Sequence, residues 1–105
     1  MTTSIDSVAG GIRVCGEMTI YTAAQIKQPL VDAVCGNPDN IQLDLSGVSD
    51  FDTAGVQLLL LAHREALAGG RHLRLVAESH IVRDVLTLFG ALGMLKDAPP
   101  AGDRP

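Results

Sequence analysis

The stretch LDLSGVSDFDTAGVQLLL, Leu43 to Leu60, decides the fold, because a strand pattern ends and a helix pattern begins within it. In IQLDLS, residues 41–46, apolar and polar residues alternate strictly, which is typical of a half-buried strand. A short turn is expected at residues 47–48. After SDFDTAG, residues 49–55, a leucine-rich helix is predicted from Ala54 to Ala68.

Strand and helix patterns on both sides of this stretch complete a small α/β domain. LRLVA, residues 73–77, predicts a strand that forms a βαβ unit with the preceding strand and helix, with parallel strands and a right-handed connection. Upstream, residues 5–9 and 11–20 predict two strands that pair through a glycine turn. A last helix is expected from Ser79 to Leu92.

The first helix has its own start signal. TAAQ, Thr22 to Gln25, matches a capping box, and Tyr21 and Ile26 are placed to form a hydrophobic staple around it. Apolar residues then recur at helical spacing up to a stop at Gly36. Pro29 removes one helical hydrogen bond, so a local kink is predicted there.

The alternation within the strands predicts how the layers pack. Central parallel strands covered on both faces usually read as continuous apolar runs, whereas here every second residue is polar. The predicted fold class is therefore α/β with helices mainly on one face of the sheet. Residues 1–96 are expected to form a single domain. The tail 97–105, DAPPAGDRP, has too little apolar surface to pack and is predicted to be disordered.

Charge and hydropathy exclude several classes of protein. The net charge is −4 and no basic run occurs, which argues against nucleic acid as a partner, since neutralising phosphates needs clustered Lys and Arg. The longest apolar run, residues 58–62, is too short to span a bilayer, and MTTSIDSVAGG does not resemble a signal peptide, so a cytoplasmic location is expected. Cys15 and Cys35 are expected to be buried reduced thiols, with a disulfide as the alternative.

Two carboxylates, a hydroxyl and a glycine in SDFDTAG allow several kinds of site. In the purely structural interpretation Thr53 caps the helix, Asp50 and Asp52 complement the helix dipole, and Gly55 permits tight packing. A nucleophilic enzyme would need a base near Thr53, but His63 lies roughly 15 Å further along the helix. The aspartates have no His or Cys nearby and no EF-hand spacing. Neither catalysis nor a metal site is predicted.

A phosphoacceptor is the third possibility. A hydroxyl at a helix N-terminus is well placed to hold a phosphate, because free N–H groups and the dipole favour an anion there. Phosphorylation adds about −1.5 to −2 charges at neutral pH. Beside Asp50 and Asp52, a phosphate on Thr53 would repel an acidic or apolar partner surface, which predicts a binary switch in binding without a change in domain shape.

The helix that follows Thr53 has a surface that a partner could contact. At 100° per residue, Gln57 and Arg64 lie opposite the side that faces the sheet, Leu61 falls among them, and Leu60 lies at their edge. The two leucines fit either a docking face or a wider contact with the core. The predicted partner-binding residues are Ala54, Gln57, Leu60, Leu61 and Arg64.

LDLSGVSDFDTAGVQLLL resembles the signature of the STAS domain, the module of anti-sigma-factor antagonists and sulfate transporter tails. In that family a strand ending in Asp-Leu-Ser leads to an Asp-Ser/Thr-x-Gly turn and a helix. The resemblance covers residues 5–95, and GEMTIYTAAQIKQPL and DTAGVQLLL look particularly like small stand-alone STAS proteins of bacterial chemotaxis operons. It implies a four- or five-stranded mixed sheet with helices mainly on one face. No cofactor is predicted.

The resemblance also implies a function. In this family the hydroxyl directly after the Asp, here Thr53, is phosphorylated by a partner serine/threonine kinase with a histidine-kinase-like ATPase fold. The unphosphorylated antagonist binds that partner and frees a sigma factor. Asp52 would help to position the kinase reaction, with Asp50 beside it, and Gly55 would keep the turn uncrowded. The prediction is a non-enzymatic, phospho-regulated module that binds such an anti-sigma kinase or a chemotaxis kinase.

Two positions depart from the antagonist pattern. Many antagonists carry serine where this chain has Thr53, and a small residue where it has Gln57. The turn is also similar to that of a related subunit of lipid-asymmetry ABC transporters, which is identified as a docking subunit. The alternative prediction is therefore a constitutive docking subunit of such a transporter that is not phosphorylated.

Overall fold

Residues 3–8 and 10–96, which the computed structural model describes, form a four-stranded mixed sheet and four helices. In chain order the elements are β1 (Ser4–Val8), β2 (Gly11–Met18), α1 (Ala23–Cys35), β3 (Ile41–Phe51), α2 (Thr53–Ala68), β4 (Leu73–Glu78), α3 (His80–Leu88) and α4 (Leu92–Lys96). The strands lie in the order β1-β2-β3-β4, with β1 antiparallel to β2 and the other two pairs parallel. The predicted α/β class and mixed sheet are confirmed, with four strands.

One face of the sheet carries the core. The strand residues that point to this face are fully buried: Ile12, Val14, Ile41, Leu43, Leu45, Leu73 and Leu75. They form a single cluster with buried residues of all four helices, among them Leu30, Leu59, Leu86 and Leu95. Burying one such side chain is worth about 1.5–3 kcal/mol. The prediction that the helices cover mainly one face is therefore confirmed.

The opposite face of the sheet bears polar side chains that pair with one another. Arg13 of β2 and Asp44 of β3 form an ion pair with an Nε–Oδ2 distance of 3.2 Å. Ser46 donates both its hydroxyl, at 2.7 Å, and its backbone N–H, at 2.9 Å, to Asp44 Oδ1. The Ser46 bonds, followed by Arg13, hold the pKa of the Asp44 carboxyl below its usual value. The polar residues of the alternating strand pattern thus lie on the face of the sheet that is open to solvent.

The central strand β3 is longer than predicted, and the expected turn at Gly47 and Val48 is wrong. Gly47 pairs with Cys15 and Val48 with Gly16, so β3 stays in the sheet up to Phe51. Two register shifts against β2 place an extra β3 residue opposite the partner strand each time, as in β-bulges. These bulges break the period-two pattern after Leu45, which is why the strand reads as ended in the sequence.

The predicted capping box at the start of α1 is wrong. Thr22 is the N-cap, but its hydroxyl makes no bond to the helix. It accepts the Thr19 N–H at 3.1 Å and donates to the Glu17 carbonyl at 3.0 Å. Tyr21 is 84% exposed and so does not pack as a staple. The loop before α1 uses Thr22 for its own turn, and the helix runs on through Pro29 to Cys35.

The last predicted helix is two helices. α3 ends at Leu88, and Gly90 adopts a φ of 69°, which breaks the helical path before α4 begins. Ala91 is buried at this corner, so the chain turns back onto the core instead of extending. The tail 97–105 and Ala9, the last residue of the first predicted strand, lie outside the described residues.

In the described part of the chain, no helix has both the length and the apolar character needed to cross a membrane. Cys15 and Cys35 are both free thiols. Cys15 is half-buried and Cys35 is exposed, so the prediction that both are buried is wrong for Cys35.

Candidate partner-binding site at the start of α2

Asp52 caps helix α2 and ties it to a neighbouring loop. Asp52 has extended backbone angles, φ −138° and ψ −164°, which suit an N-cap. Its Oδ1 accepts the Ala54 N–H at 2.9 Å, and its Oδ2 accepts the Ile20 N–H at 3.1 Å. Both carboxylate oxygens are therefore engaged by backbone donors. The interpretation in which Thr53 caps the helix is wrong, since Thr53 is its first residue.

Thr53 presents its side chain to solvent at the mouth of α2. The residue is exposed, and its hydroxyl makes no hydrogen bond to any other residue in ranges 3–8 and 10–96. It follows directly after the capping Asp52, so its backbone is held while its side chain is free. The positive end of the helix dipole lies at this position. The geometry leaves the hydroxyl open to a partner or a modifying enzyme.

Gly55 lets α2 start close against the sheet. The residue is buried, and a Cβ added to it would lie 2.5 Å from Phe51 Cε1 and 2.7 Å from the Met18 carbonyl oxygen. The backbone oxygen cannot move without disturbing the end of β2. A glycine is therefore required for steric reasons, which agrees with the expectation that Gly55 permits tight packing.

Asp50 occupies a different place from the one predicted. It lies in β3, paired with Glu17 of β2, and is exposed. Its side chain thus comes from a strand and not from the turn that opens the helix. Two acidic residues, Asp50 and Glu17, are thus neighbours across the β2–β3 pair. The expected role of Asp50 beside Thr53 stays a prediction.

A groove between α1 and α2 starts beside this turn. It has a volume of about 420 Å³ and is lined by Ala23, Ala24, Lys27, Ala54, Gln57, Leu58, Leu61 and Arg64. Four of the five predicted partner-binding residues are in this set. Leu60 is not, although it is 39% exposed on the same helix. Leu61 is half-buried in the groove wall, so it belongs to the surface of the groove and not to the closed core.

The α1 half of the groove and the loop before it were not predicted. Ile20 is 66% and Tyr21 is 84% exposed, and the Ile20 N–H is the group that Asp52 holds. Ala23, Ala24 and Lys27 continue this surface along the first turns of α1. In the sequence, Ile20 is the last residue of the predicted strand 11–20 and Tyr21 belongs to the predicted staple, so neither indicates a surface beside Thr53. Only the fold places Ile20 next to Asp52.

No metal centre is present among the described residues, where no group of three His, Cys, Asp or Glu side chains lies close enough together. His63, weighed as a possible base, is half-buried on α2, and its Nδ1 has no hydrogen-bond partner in the described part of the chain. The site consists of one free hydroxyl, one capping carboxylate and a groove with an apolar floor. Such a set of groups suits binding.

We expect Asp52→Ala to lower the free energy of unfolding by about 2 kcal/mol, because two N–H groups lose their charged acceptor. Chemical denaturation measures this change. Asp52→Asn keeps one acceptor oxygen and should fall between the wild type and Asp52→Ala. Ser79→Ala is the matched control, since Ser79 occupies the same position before α3 but makes no cap bond. An Asp52→Ala loss no larger than that of Ser79→Ala would contradict the assignment.

The fold and the Asp-Thr-x-Gly turn define a class of protein. Strand β3 of the mixed sheet leads directly into the capped start of α2. The chain belongs to the STAS domain family, because residues 1–96 match the family model described as "Mlab, STAS domain". The family resemblance read from residues 43–60 is thereby confirmed. No curated protein matches the chain.

Two solved structures of anti-sigma factor antagonists are similar to this chain. The unphosphorylated form of SpoIIAA is 27% identical with a TM-score of 0.68, and the match covers 90% of this chain and 85% of that chain. An antagonist from Mycobacterium paratuberculosis is 26% identical with a TM-score of 0.72, covering 90% and 81%. The phosphorylated form of the Bacillus cell fate determinant SpoIIAA, at 24% identity, a TM-score of 0.62 and 90% and 88% coverage, shares the fold. This similarity supports a protein-binding role.

Proposed function

We propose that this protein is a phospho-regulated protein-binding module without enzymatic activity, with Thr53 as the phosphoacceptor. The observation that carries the proposal is the exposed, unengaged hydroxyl of Thr53 directly after the capping Asp52. The partner is a serine/threonine kinase with a histidine-kinase-like ATPase fold, of the anti-sigma or chemotaxis type. Both proteins act in the cytoplasm. The similarity to an anti-sigma factor antagonist solved in its unphosphorylated form supports this assignment.

The unphosphorylated surface is suited to a protein partner. Around Thr53 lie the exposed apolar side chains of Ile20 and Tyr21 and the start of the α1–α2 groove. Exposed aromatic side chains of this kind are frequent anchors of protein interfaces. Gln57 and Arg64 add polar contacts at the rim of the groove. The partner binds this continuous surface while Thr53 is unphosphorylated.

Phosphorylation then releases the partner through charge. The phosphate adds about −1.5 to −2 charges at the centre of this surface. Asp52 already places a carboxylate directly before Thr53, and Asp50 adds an acidic residue near the end of β3, so the local charge becomes strongly negative. Asp52 keeps its two N–H bonds in both states, because both of its oxygens point to backbone donors. The turn therefore keeps its shape, and the switch operates on binding alone.

A second candidate function is a constitutive docking subunit of a lipid-asymmetry ABC transporter. The observation that favours it is the α1–α2 groove, which is formed without any phosphate on Thr53. Threonine at this position, where many antagonists carry serine, also fits a residue that contacts the partner without being phosphorylated. In this case the partner binds the groove permanently and Thr53 is never modified.

Incubation of the protein with the candidate ATPase partner and ATP, followed by mass spectrometry, separates the two functions. We expect a single phosphate on Thr53 in the wild type and none in Thr53→Val. Thr87→Val is the matched control, since Thr87 is also an exposed helical threonine and should leave phosphorylation unchanged. A partner that binds tightly with ATP present but leaves Thr53 unmodified would overturn the phosphoacceptor and favour the docking subunit.

A further inference from the structure

Two cationic side chains flank the α1–α2 groove. Lys27 of α1 and Arg64 of α2 both belong to its lining, one from each wall. Along α2 the groove runs from Ala54 to Arg64, which corresponds to about 15 Å of helix axis. The α2 lining residues recur every three or four positions, as one stripe of a helix does. The groove therefore follows about three turns of α2 and the first turn of α1, with one cationic side chain on each wall.

Lys27 and Arg64 differ from the other basic residues in having no partner. Seven Lys and Arg residues lie in the described part of the chain, and five of them are engaged by acids or backbone carbonyls: Arg13, Arg71, Arg74, Arg83 and Lys96. Lys27 and Arg64 make neither contact within residues 3–8 and 10–96. Neither has an acid three or four residues away on its helix. In a chain of net charge −4, both cations of the groove are left free.

The floor between these cations is apolar and open. Leu58 is 5% exposed and Leu61 is half-buried, and Ala23, Ala24 and Ala54 have no polar side-chain atoms. The small side chains allow another backbone to approach closely. Gln57, Lys27 and Arg64 are exposed to solvent, so the groove does not enclose a ligand. A shallow apolar channel with polar walls fits an amphipathic helix better than a small molecule.

We propose that the α1–α2 groove binds an amphipathic helix of the protein partner whose edges carry acidic side chains. The apolar stripe of that helix lies on Leu58, Leu61 and the alanines, and its carboxylates meet Lys27 on one side and Arg64 on the other. This inference rests on the proposed function and adds the chemistry of the partner. Two isolated cations on an acidic protein do not suit a nucleic-acid backbone.

An acidic helix in the groove also explains how phosphorylation of Thr53 weakens binding there. Thr53 directly precedes Ala54, the first α2 residue of the lining. A phosphate there adds negative charge at one end of a groove that holds carboxylates, so the occupant is repelled along with the rest of the interface. The proposed switch and the proposed occupant therefore share one electrostatic cause.

A pair of designed peptides tests the groove without the natural partner. The probe is a fluorescein-labelled helical peptide of leucine and alanine with glutamates along both edges, and its twin carries lysine at every glutamate. We expect the full-length protein to bind the glutamate peptide at least tenfold more tightly than the lysine peptide in fluorescence polarisation. Raising the salt from about 0.1 M to 1 M, which shortens the Debye length from about 10 to 3 Å, should weaken this binding.

Charge reversal assigns the effect to the two cations. Lys27→Glu combined with Arg64→Glu should reverse the preference between the two peptides, whereas Arg13→Glu, on the open face of the sheet, should leave it unchanged. Circular dichroism checks that each variant is folded. Equal binding of both peptides to the wild type, or no binding of the glutamate peptide, overturns the inference. The phosphorylation assay reads Thr53 alone, so its failure and the failure of the peptide assay are distinguishable.

Discussion

Thr53→Glu is expected to weaken binding of the ATPase partner about 100-fold, equivalent to about 2.7 kcal/mol. A carboxylate at this position imitates part of the phosphate charge and directly follows the capping Asp52. Placing like charges against each other, or a charge against an apolar surface, costs several kcal/mol in an interface. Isothermal titration calorimetry with the purified partner measures the change. The domain should remain folded, because Thr53 is exposed and makes no side-chain bond in the described part of the chain.

Two controls separate charge from shape and from position. Thr53→Val removes the hydroxyl with little change in volume and should weaken binding by no more than about tenfold, which is about 1.4 kcal/mol. Thr87→Glu makes the same chemical change at an exposed position of α3 and should leave binding unaltered. Unchanged affinity of Thr53→Glu would contradict both the switch and the placement of the interface. Equal losses for Thr53→Glu and Thr87→Glu would show a general charge effect.

Gly55→Ala is expected to destabilise the domain by overpacking the start of α2. The new Cβ would lie 2.5 Å from the Phe51 ring and 2.7 Å from the Met18 carbonyl oxygen, closer than real Cβ contacts allow. Either α2 moves outward or the end of β2 shifts, and overpacking of this kind costs about 1–3 kcal/mol. In a domain of this size, that loss lowers the melting temperature by roughly 4–8 °C for each kcal/mol.

Gly36→Ala is the matched control for Gly55→Ala. Gly36 follows α1 with a φ of −78°, which alanine adopts readily, and its added Cβ would lie 3.1 Å from the Asp32 carbonyl oxygen and 3.9 Å from that of Ala33. The change should therefore be within about 1 kcal/mol of the wild type in either direction. Thermal denaturation of both variants by circular dichroism makes the comparison. A Gly55→Ala variant as stable as Gly36→Ala would show that α2 has room at its start.

Much of the fold was predictable because local patterns and tertiary packing agree in it. Ile41, Leu43 and Leu45 alternate with polar residues, and they are the buried residues of the central strand. On α2, the helical period predicts that Gln57 and Arg64 lie on the side away from the sheet, and both are exposed. In both elements the hydrophobic period equals the structural period, so no long-range information was needed.

Prediction from sequence failed where hydrogen bonds other than those of the predicted motif hold the residues. The hydroxyl of Thr22 could cap α1, but Glu17 and Thr19 hold it in the preceding loop. Gly47 and Val48 could form a turn, but pairing with β2 keeps them in the sheet through two bulges. In both cases the residues have a local propensity for the predicted feature, and hydrogen bonds to β2 or to the loop that follows it outweigh this propensity.

The candidate site divides in the same way. Residues 49–55 and the α2 side of the groove follow from sequence, because they are contiguous or lie on one helix face. Ile20 and Lys27 were absent from the prediction, since their place beside Asp52 and Arg64 depends on how α1 packs on α2. The cap of α2 is the residue with extended φ and ψ angles, which is Asp52. The sequence SDFDTAG alone does not show whether Asp52 or Thr53 takes this position.

The sequence by itself determined that this chain is a STAS domain with an Asp-Thr-x-Gly turn at the start of a long helix, because periodicity and motif are local properties. Only the tertiary structure decided which hydroxyl is free, which carboxylate is occupied, and that two unpaired cations from different helices face one groove. Those properties depend on distances between residues that are far apart in the chain. Packing α1 and α2 on one face of the sheet brings these residues together.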